Sequence, residues 1–116
     1  MEKLKDFMLL FRMKFTPDVS PTQEELLTIK SAWTDWIGSI ARRARMVSSH
    51  QLGVEGNTVS AQAEVNTGIF KDVNLAVSGN MVLKAINLEE ATLIAKDCPI
   101  LSVGGSVEIR NTLSTY

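Results

Sequence analysis

The sequence predicts an α+β domain of the ferredoxin-like, split βαβ kind, with an antiparallel sheet and two helices on one face. Three observations carry that expectation. Residues 79–101 read as a strand, a turn and a helix in one stretch. Residues 6–13 form a strand that is largely apolar on both faces. Between them, residues 22–45 carry a long apolar stripe at helical spacing.

In the first of these stretches, 81–86 is an apolar run of strand length. Asn87 can cap a helix, and Glu90 stands three residues on, where a capping-box carboxylate belongs. Glu89 and Glu90 suit the positive end of the helix dipole. Ala91, Ile94, Ala95 and Cys98 fall on one face, and Pro99 stops the helix near Asp97.

Taken in order, 1–5 is a charged, frayed start. In the strand 6–13, Phe7, Leu9, Phe11 and Met13 share one face, with Met8, Leu10 and Arg12 on the other. Residues 16–22 hold two prolines and read as a loop. Ser20 or Thr22 caps the following helix, which runs to about Arg45. Leu26, Ile29, Trp33, Trp36, Ile37, Ile40, Ala41 and Ala44 make its stripe, and Arg42, Arg43 and Arg45 close its last turn. A second strand spans 46–52, and 53–57 is a turn. Residues 58–65 alternate apolar with polar, as a half-exposed strand or a hairpin arm. Thr67 and Gly68 break it; 69–77 is extended or mixed. Gly104 and Gly105 turn the chain into a last strand, 106–110, with Val107 and Ile109 inward; 111–116 is a tail.

The 116 residues make one domain, 1–116. A 45% hydrophobic and 22% charged composition is that of a soluble globular protein. A formal net charge of −1 sets up no strong field toward nucleic acid or an anionic membrane, so neither is an expected partner. The apolar run 7–11 is too short for a signal-peptide core or a membrane span. The single cysteine excludes an internal disulfide and fits a reducing compartment, so the expected location is cytoplasmic. Two helices cover only one face of such a sheet, yet two strands are apolar on both. The expected remedy is a homodimer with the two sheets stacked face to face.

Six short stretches stand out: Phe-Met-Leu-Leu at 7–10, Pro-Thr-Gln-Glu-Glu-Leu at 21–26, Ala-Trp-Thr-Asp-Trp-Ile-Gly at 32–38, Asn-Leu-Glu-Glu-Ala at 87–91, Ala-Lys-Asp-Cys-Pro at 95–99 and Gly-Gly-Ser-Val-Glu-Ile-Arg at 104–110. In kind and order they resemble the YCII-related, or DGPF-domain, family. The resemblance implies a small dimeric α+β barrel protein. The motif that names the family stands here as Thr67-Gly68-Ile69-Phe70, without its acid and its proline. The resemblance also implies two functional alternatives. One is a lyase, isomerase or dehydrochlorinase; enzymes of that wider group pair a histidine near the start of the first helix with an aspartate, and no histidine stands there in this chain. The other is a regulatory or protein-interaction role, since some relatives are linked to transcription initiation.

The chemistry-bearing residues are few. His50 is the only histidine and the only side chain with an ordinary pKa near neutrality. It reads as a general base or ligand contact, oriented by Glu55 or Glu64, or as an exposed loop residue. Arg12 and Lys84 are charges in apolar strands; each is an anion hook, or else snorkels at a strand end or pairs with Glu64, Asp72 or Glu108. Trp33 and Trp36 are core residues, with Trp36 at a cleft edge able to stack on an aromatic ligand. Cys98 reads as structural, and the three arginines as a solvated helix end. No Cys, His, Asp and Glu set has metal-ligand spacing, no nucleophile motif stands out, and no cofactor is implied. The leading expectation is a helix–sheet cleft binding a small, partly apolar ligand, anionic or neutral, lined by Arg12, Trp36 and His50. The runner-up makes His50 a catalytic base; the sequence leaves open whether the protein is an enzyme.

Overall fold

The computed structural model describes residues 3–14, 22–72 and 75–113. Six strands, two α-helices and a short 3-10 helix lie among them. They run β1 (Lys5–Lys14), α1 (Gln23–Arg42), β2 (Met46–Gln51), β3 (Asn57–Val59), β4 (Val65–Thr67), β5 (Leu75–Ala85), α2 (Leu88–Ala95), the 3-10 helix (Pro99–Val103) and β6 (Ser106–Asn111). Of the expected loop at 16–22, only Thr22 falls within the described residues. The expected cap Ser20, the first two residues, Val73, Asn74 and the last three residues of the tail lie outside them.

Four strands form one antiparallel sheet in the order β2-β5-β1-β6. β1 and β2 flank β5, and β5 and β6 flank β1. Each helix-bearing connection therefore steps over a strand, which is the split βαβ topology of a ferredoxin-like fold. β3 and β4 pair only with each other, as a separate hairpin inserted between β2 and β5.

Period-two alternation divides the sheet's two faces. Phe7, Leu9 and Phe11 of β1 and Met81, Leu83 and Ala85 of β5 point toward the helices and are buried. Trp36 and Ile40 of α1, with Ala91, Ile94 and Ala95 of α2, meet them in one core cluster. Cys98 and Ile100 close its end. Fully burying a Leu, Ile or Phe is worth roughly 1.5–3 kcal/mol, so this cluster holds the helices on one face of the sheet. The chain is about 19 Å thick along its short axis, the depth of one sheet and one helix layer.

The helix ends follow their local chemistry. Thr22 Oγ1 accepts the Glu25 amide at 3.1 Å, and Asn87 Oδ1 accepts the Glu90 amide at 2.9 Å, so both expected caps form. α1 stops at Arg42 rather than near Arg45. The Ala44 and Arg45 amides turn back to the carbonyls of Ala41 and Ile40. Ala44 itself takes φ 56°. This is a Schellman closure with alanine at the position that usually holds glycine.

Two strand boundaries depart from expectation. β5 starts at Leu75, before Gly79, and runs eleven residues. Gly79 sits inside the strand because a Cβ there would lie 2.7 Å from the His50 carbonyl oxygen. The strand continues past it, with a register shift opposite Phe11 and Arg12. The alternating stretch at 58–65 is neither one strand nor one arm of a hairpin: it contains the turn between β3 and β4, and β4 runs on through Thr67. That turn is closed by Ala63 N–H to Ser60 O and Ser60 N–H to Glu64 O, with Ala63 at φ 64°. Alternation through Ala61 and Ala63 hides that turn in the sequence, since neither residue is a usual turn former.

Candidate functional site

The open face of the sheet, away from the helices, gathers most of the chemistry. From β1 it receives Asp6, Met8, Leu10 and Arg12; from β5, Val77, Asn80, Val82 and Lys84. β6 adds Ser106, Glu108 and Arg110, and β2 adds Ser48 and His50. Register sets these in rows. His50 is opposite Asn80, Asn80 opposite Leu10, and Leu10 opposite Glu108, so one row crosses all four strands. The next row along carries Val77, Arg12 and Ser106. Met8, Leu10, Val77 and Val82 are half-buried and form an apolar strip between the polar ends.

Arg12 is tied at one end of that strip. Its Nη1 donates to Glu108 Oε1 at 2.7 Å, and Arg110 Nη1 lies 3.9 Å from the other oxygen of the same carboxylate. Of the three carboxylates expected as partners for Arg12, Glu108 is the one that pairs with it. Lys84 instead donates to Asp6 at 3.0 Å, a partner one strand away that strand periodicity alone does not single out. At the other end His50 Nδ1 stands 3.3 Å from Asn80 Oδ1. Asn80 is thus the neighbour that orients the ring, rather than the expected Glu55 or Glu64. Strand spacing puts the His50 and Arg12 Cα atoms roughly 12 Å apart. A small ligand lying along the strip can reach both side chains.

Trp36 is on the other side of the sheet. It is 6% exposed, donates from Nε1 to the Ile94 carbonyl at 3.1 Å, and packs edge-on to Phe11 and Trp33. The three residues expected to line one helix–sheet cleft are therefore not brought together. Arg12 and His50 share the open face, and Trp36 fills the core that welds α1 to α2. The space between helices and sheet is occupied by that core. Two hollows, of about 570 and 590 Å³, open elsewhere on the surface. The first lies beside Lys5, Asn87 and Arg110, and the second between α1 and the 3-10 helix. Neither is lined by Arg12, Trp36 or His50.

A second polar cluster was missed by sequence reasoning. Glu90 Oε1 accepts the Ile86 amide at 3.0 Å and also the Arg45 guanidinium, while Arg45 donates to the Lys84 carbonyl at 3.2 Å. The Ile86 amide above all, with Arg45 and the nearby charge of Arg43, holds the Glu90 carboxyl below its usual range against an opposing push from burial. The capping-box spacing pointed to Glu90, but Arg45, read as part of a solvated helix end, is instead brought by the α1 closure onto Glu90 and the Lys84 carbonyl. This cluster pins the start of α2 to the start of β2 and is structural. Burial pushes the Cys98 thiol up to about 11, against a smaller opposing effect of the Ile100 amide, so it is held as a neutral thiol.

Among the described residues no group of three His, Cys, Asp or Glu side chains is placed to hold a metal ion. No helix among them is long and apolar enough to cross a membrane. The sequence matches no protein-family model and no curated protein.

Proposed function

We propose that the protein is a homodimer through the open sheet face and binds a small, partly apolar ligand, anionic or neutral, against that face. The observation that carries this reading is the shared surface of Arg12 and His50, separated by the apolar strip of Met8, Leu10, Val77 and Val82. A half-buried apolar strip calls for cover, and a second copy of the chain can supply it. Cations at its margin suit a carboxylate or phenolate, and the strip suits the body of the ligand. The resemblance to the YCII-related family points the same way, to a dimeric α+β barrel. Cytoplasmic placement belongs to the same proposal and rests on the single cysteine, Cys98.

A second reading makes His50 a general base. With Nδ1 donating to Asn80 Oδ1, Nε2 carries the free lone pair, and His50 is exposed. A rate lost in His50→Ala and altered in pH profile by Asn80→Ala would favour it.

The first reading is tested by a thermal-shift screen of aromatic and aliphatic acids on the wild type, Arg12→Ala and His50→Ala. Stabilisation that grows with ligand concentration and is lost in either variant is the expected result. Acids that stabilise all three proteins alike would remove this face as the site. Sedimentation at micromolar concentration is expected to give a dimer, and a stable monomer would overturn that half of the proposal.

A further inference from the structure

The β3–β4 hairpin has no place in its own domain's core. From Gln51 to Thr67 every residue except Thr58 and Ser60 is exposed. Val54, Val59, Val65 and Phe70 are 62, 62, 65 and 74% exposed. Val59 and Val65 face each other directly across the ribbon. None of these side chains joins the core cluster or packs against it. A two-stranded ribbon of this length is marginal by itself in water. Yet it is internally well bonded: Gly68 N–H reaches Gly56 O at 2.9 Å, and Thr58 Oγ1 reaches Gly68 O at 3.0 Å. Gly56 also lies close against the Ile69 side chain, which a Cβ there would approach to 3.2 Å. A shaped arm with its apolar side chains in water needs a surface to lie on.

We propose that this arm is an exchange arm, which lies on the open sheet face of a second copy of the chain and closes the Arg12–His50 strip of that copy. The inference rests on the proposed dimer and adds the partner segment that completes its site. Three features select a second copy as the occupant. Charge is complementary: residues 52–70 contain Glu55 and Glu64 and no lysine or arginine. The strand face sets Arg12, Lys84 and Arg110 against Asp6 and Glu108, an excess of one positive charge. Apolar surface is matched, with Val59, Val65 and Phe70 on the arm and Met8, Leu10, Val77 and Val82 on the face. Symmetry is available: a second copy carries the same arm and the same face, so two arms can lie reciprocally in one isologous interface. The arm also leaves the sheet directly after His50 and Gln51, beside the strip it would close on its partner.

The test places a benzophenone-bearing amino acid at Phe70 in the full chain and irradiates a mixture of light and heavy-isotope protein. Cross-links joining light to heavy chains at residues 6–13, 46–51, 75–85 or 106–111 are the expected result. Phe70→Ser combined with Val65→Thr is expected to raise the dimer dissociation constant about tenfold or more, with an unchanged circular dichroism spectrum. A dimer whose cross-links stay within one chain, or join copies at any other surface, overturns the arm and leaves the dimer standing. A wild-type monomer in sedimentation overturns the dimer, and the arm with it. A double variant that dimerises as tightly as the wild type overturns the arm alone.

Discussion

Arg12 and Glu108 meet at 2.7 Å across 96 residues of chain, and each leaves a third or more of its side chain in solvent. A pair so exposed contributes little to stability, on the order of 0.2–1 kcal/mol. It does hold the guanidinium over the strip. Glu108→Gln removes the carboxylate that a ligand acid would have to displace. We expect it to change the unfolding free energy by less than about 1 kcal/mol. The same change should strengthen the thermal shift given by any acid that Arg12→Ala abolishes. Urea titrations and thermal shifts on the two variants check both statements.

Trp36 should behave as a core residue and as nothing else. Its ring is buried, and its indole nitrogen donates to Ile94 O. Trp36→Ala is expected to cost about 3–5 kcal/mol, and Trp36→Phe less, since it keeps most of the volume. In Trp36→Phe, once folded, ligand shifts should equal those of the wild type. A selective loss of ligand response in that variant would return Trp36 to the site.

Ala44→Gly should stabilise the protein. The native φ of 56° is one that glycine adopts freely and alanine does not. Relief of that strain is worth about 1 kcal/mol, reduced by the greater freedom of glycine in the unfolded chain. The expected net gain is a few tenths of a kcal/mol to about 1 kcal/mol by chemical denaturation.

Glu90 gives the stability a signed dependence on pH. Its folded pKa lies below its unfolded one, chiefly through the Ile86 amide. Its contribution is therefore fully present above the unfolded carboxylate value, near 4.3, and is lost as pH falls through the folded value. Glu90→Gln is expected to be less stable than the wild type at neutral pH. The gap should narrow in acid, because the wild type loses more there. Parallel curves of stability against pH would show that the carboxylate's charge carries none of this latch.

Much of the fold was legible because its signals are local. Asn87, Glu90 and the face of Ala91, Ile94, Ala95 and Cys98 specify α2 within a dozen residues. The double-sided apolar pattern of 6–13 marked a strand, and β1 is one; the cover that the pattern called for on the second face is the proposed dimer. The end of α1 was missed because alanine at 44 gives no stop signal; the turn back shows only in its positive φ and in the Ala44 and Arg45 amide bonds to Ala41 and Ile40. The site was half legible. Odd charges in apolar strands flagged Arg12 and Lys84, and Glu108 stood among the expected partners, but Asp6 beside Lys84 and Asn80 beside His50 depend on strand register. Trp36 was placed beside Arg12 because helical spacing shows that a residue faces inward, not which side of a sheet it reaches.

The placement of β1 at the centre of the sheet has a temporal consequence. Its two hydrogen-bonding neighbours are β5 and β6, the last two strands of the sheet in chain order. During synthesis the run from Phe7 to Met13 leaves the ribosome long before either neighbour exists. Closing such distant pairings is slow, and until Ser106–Asn111 emerges one edge of β1 stays unpaired. The nascent chain therefore spends its vulnerable interval with its most apolar strand uncovered, and a chaperone that grips short apolar segments would find its first handhold there.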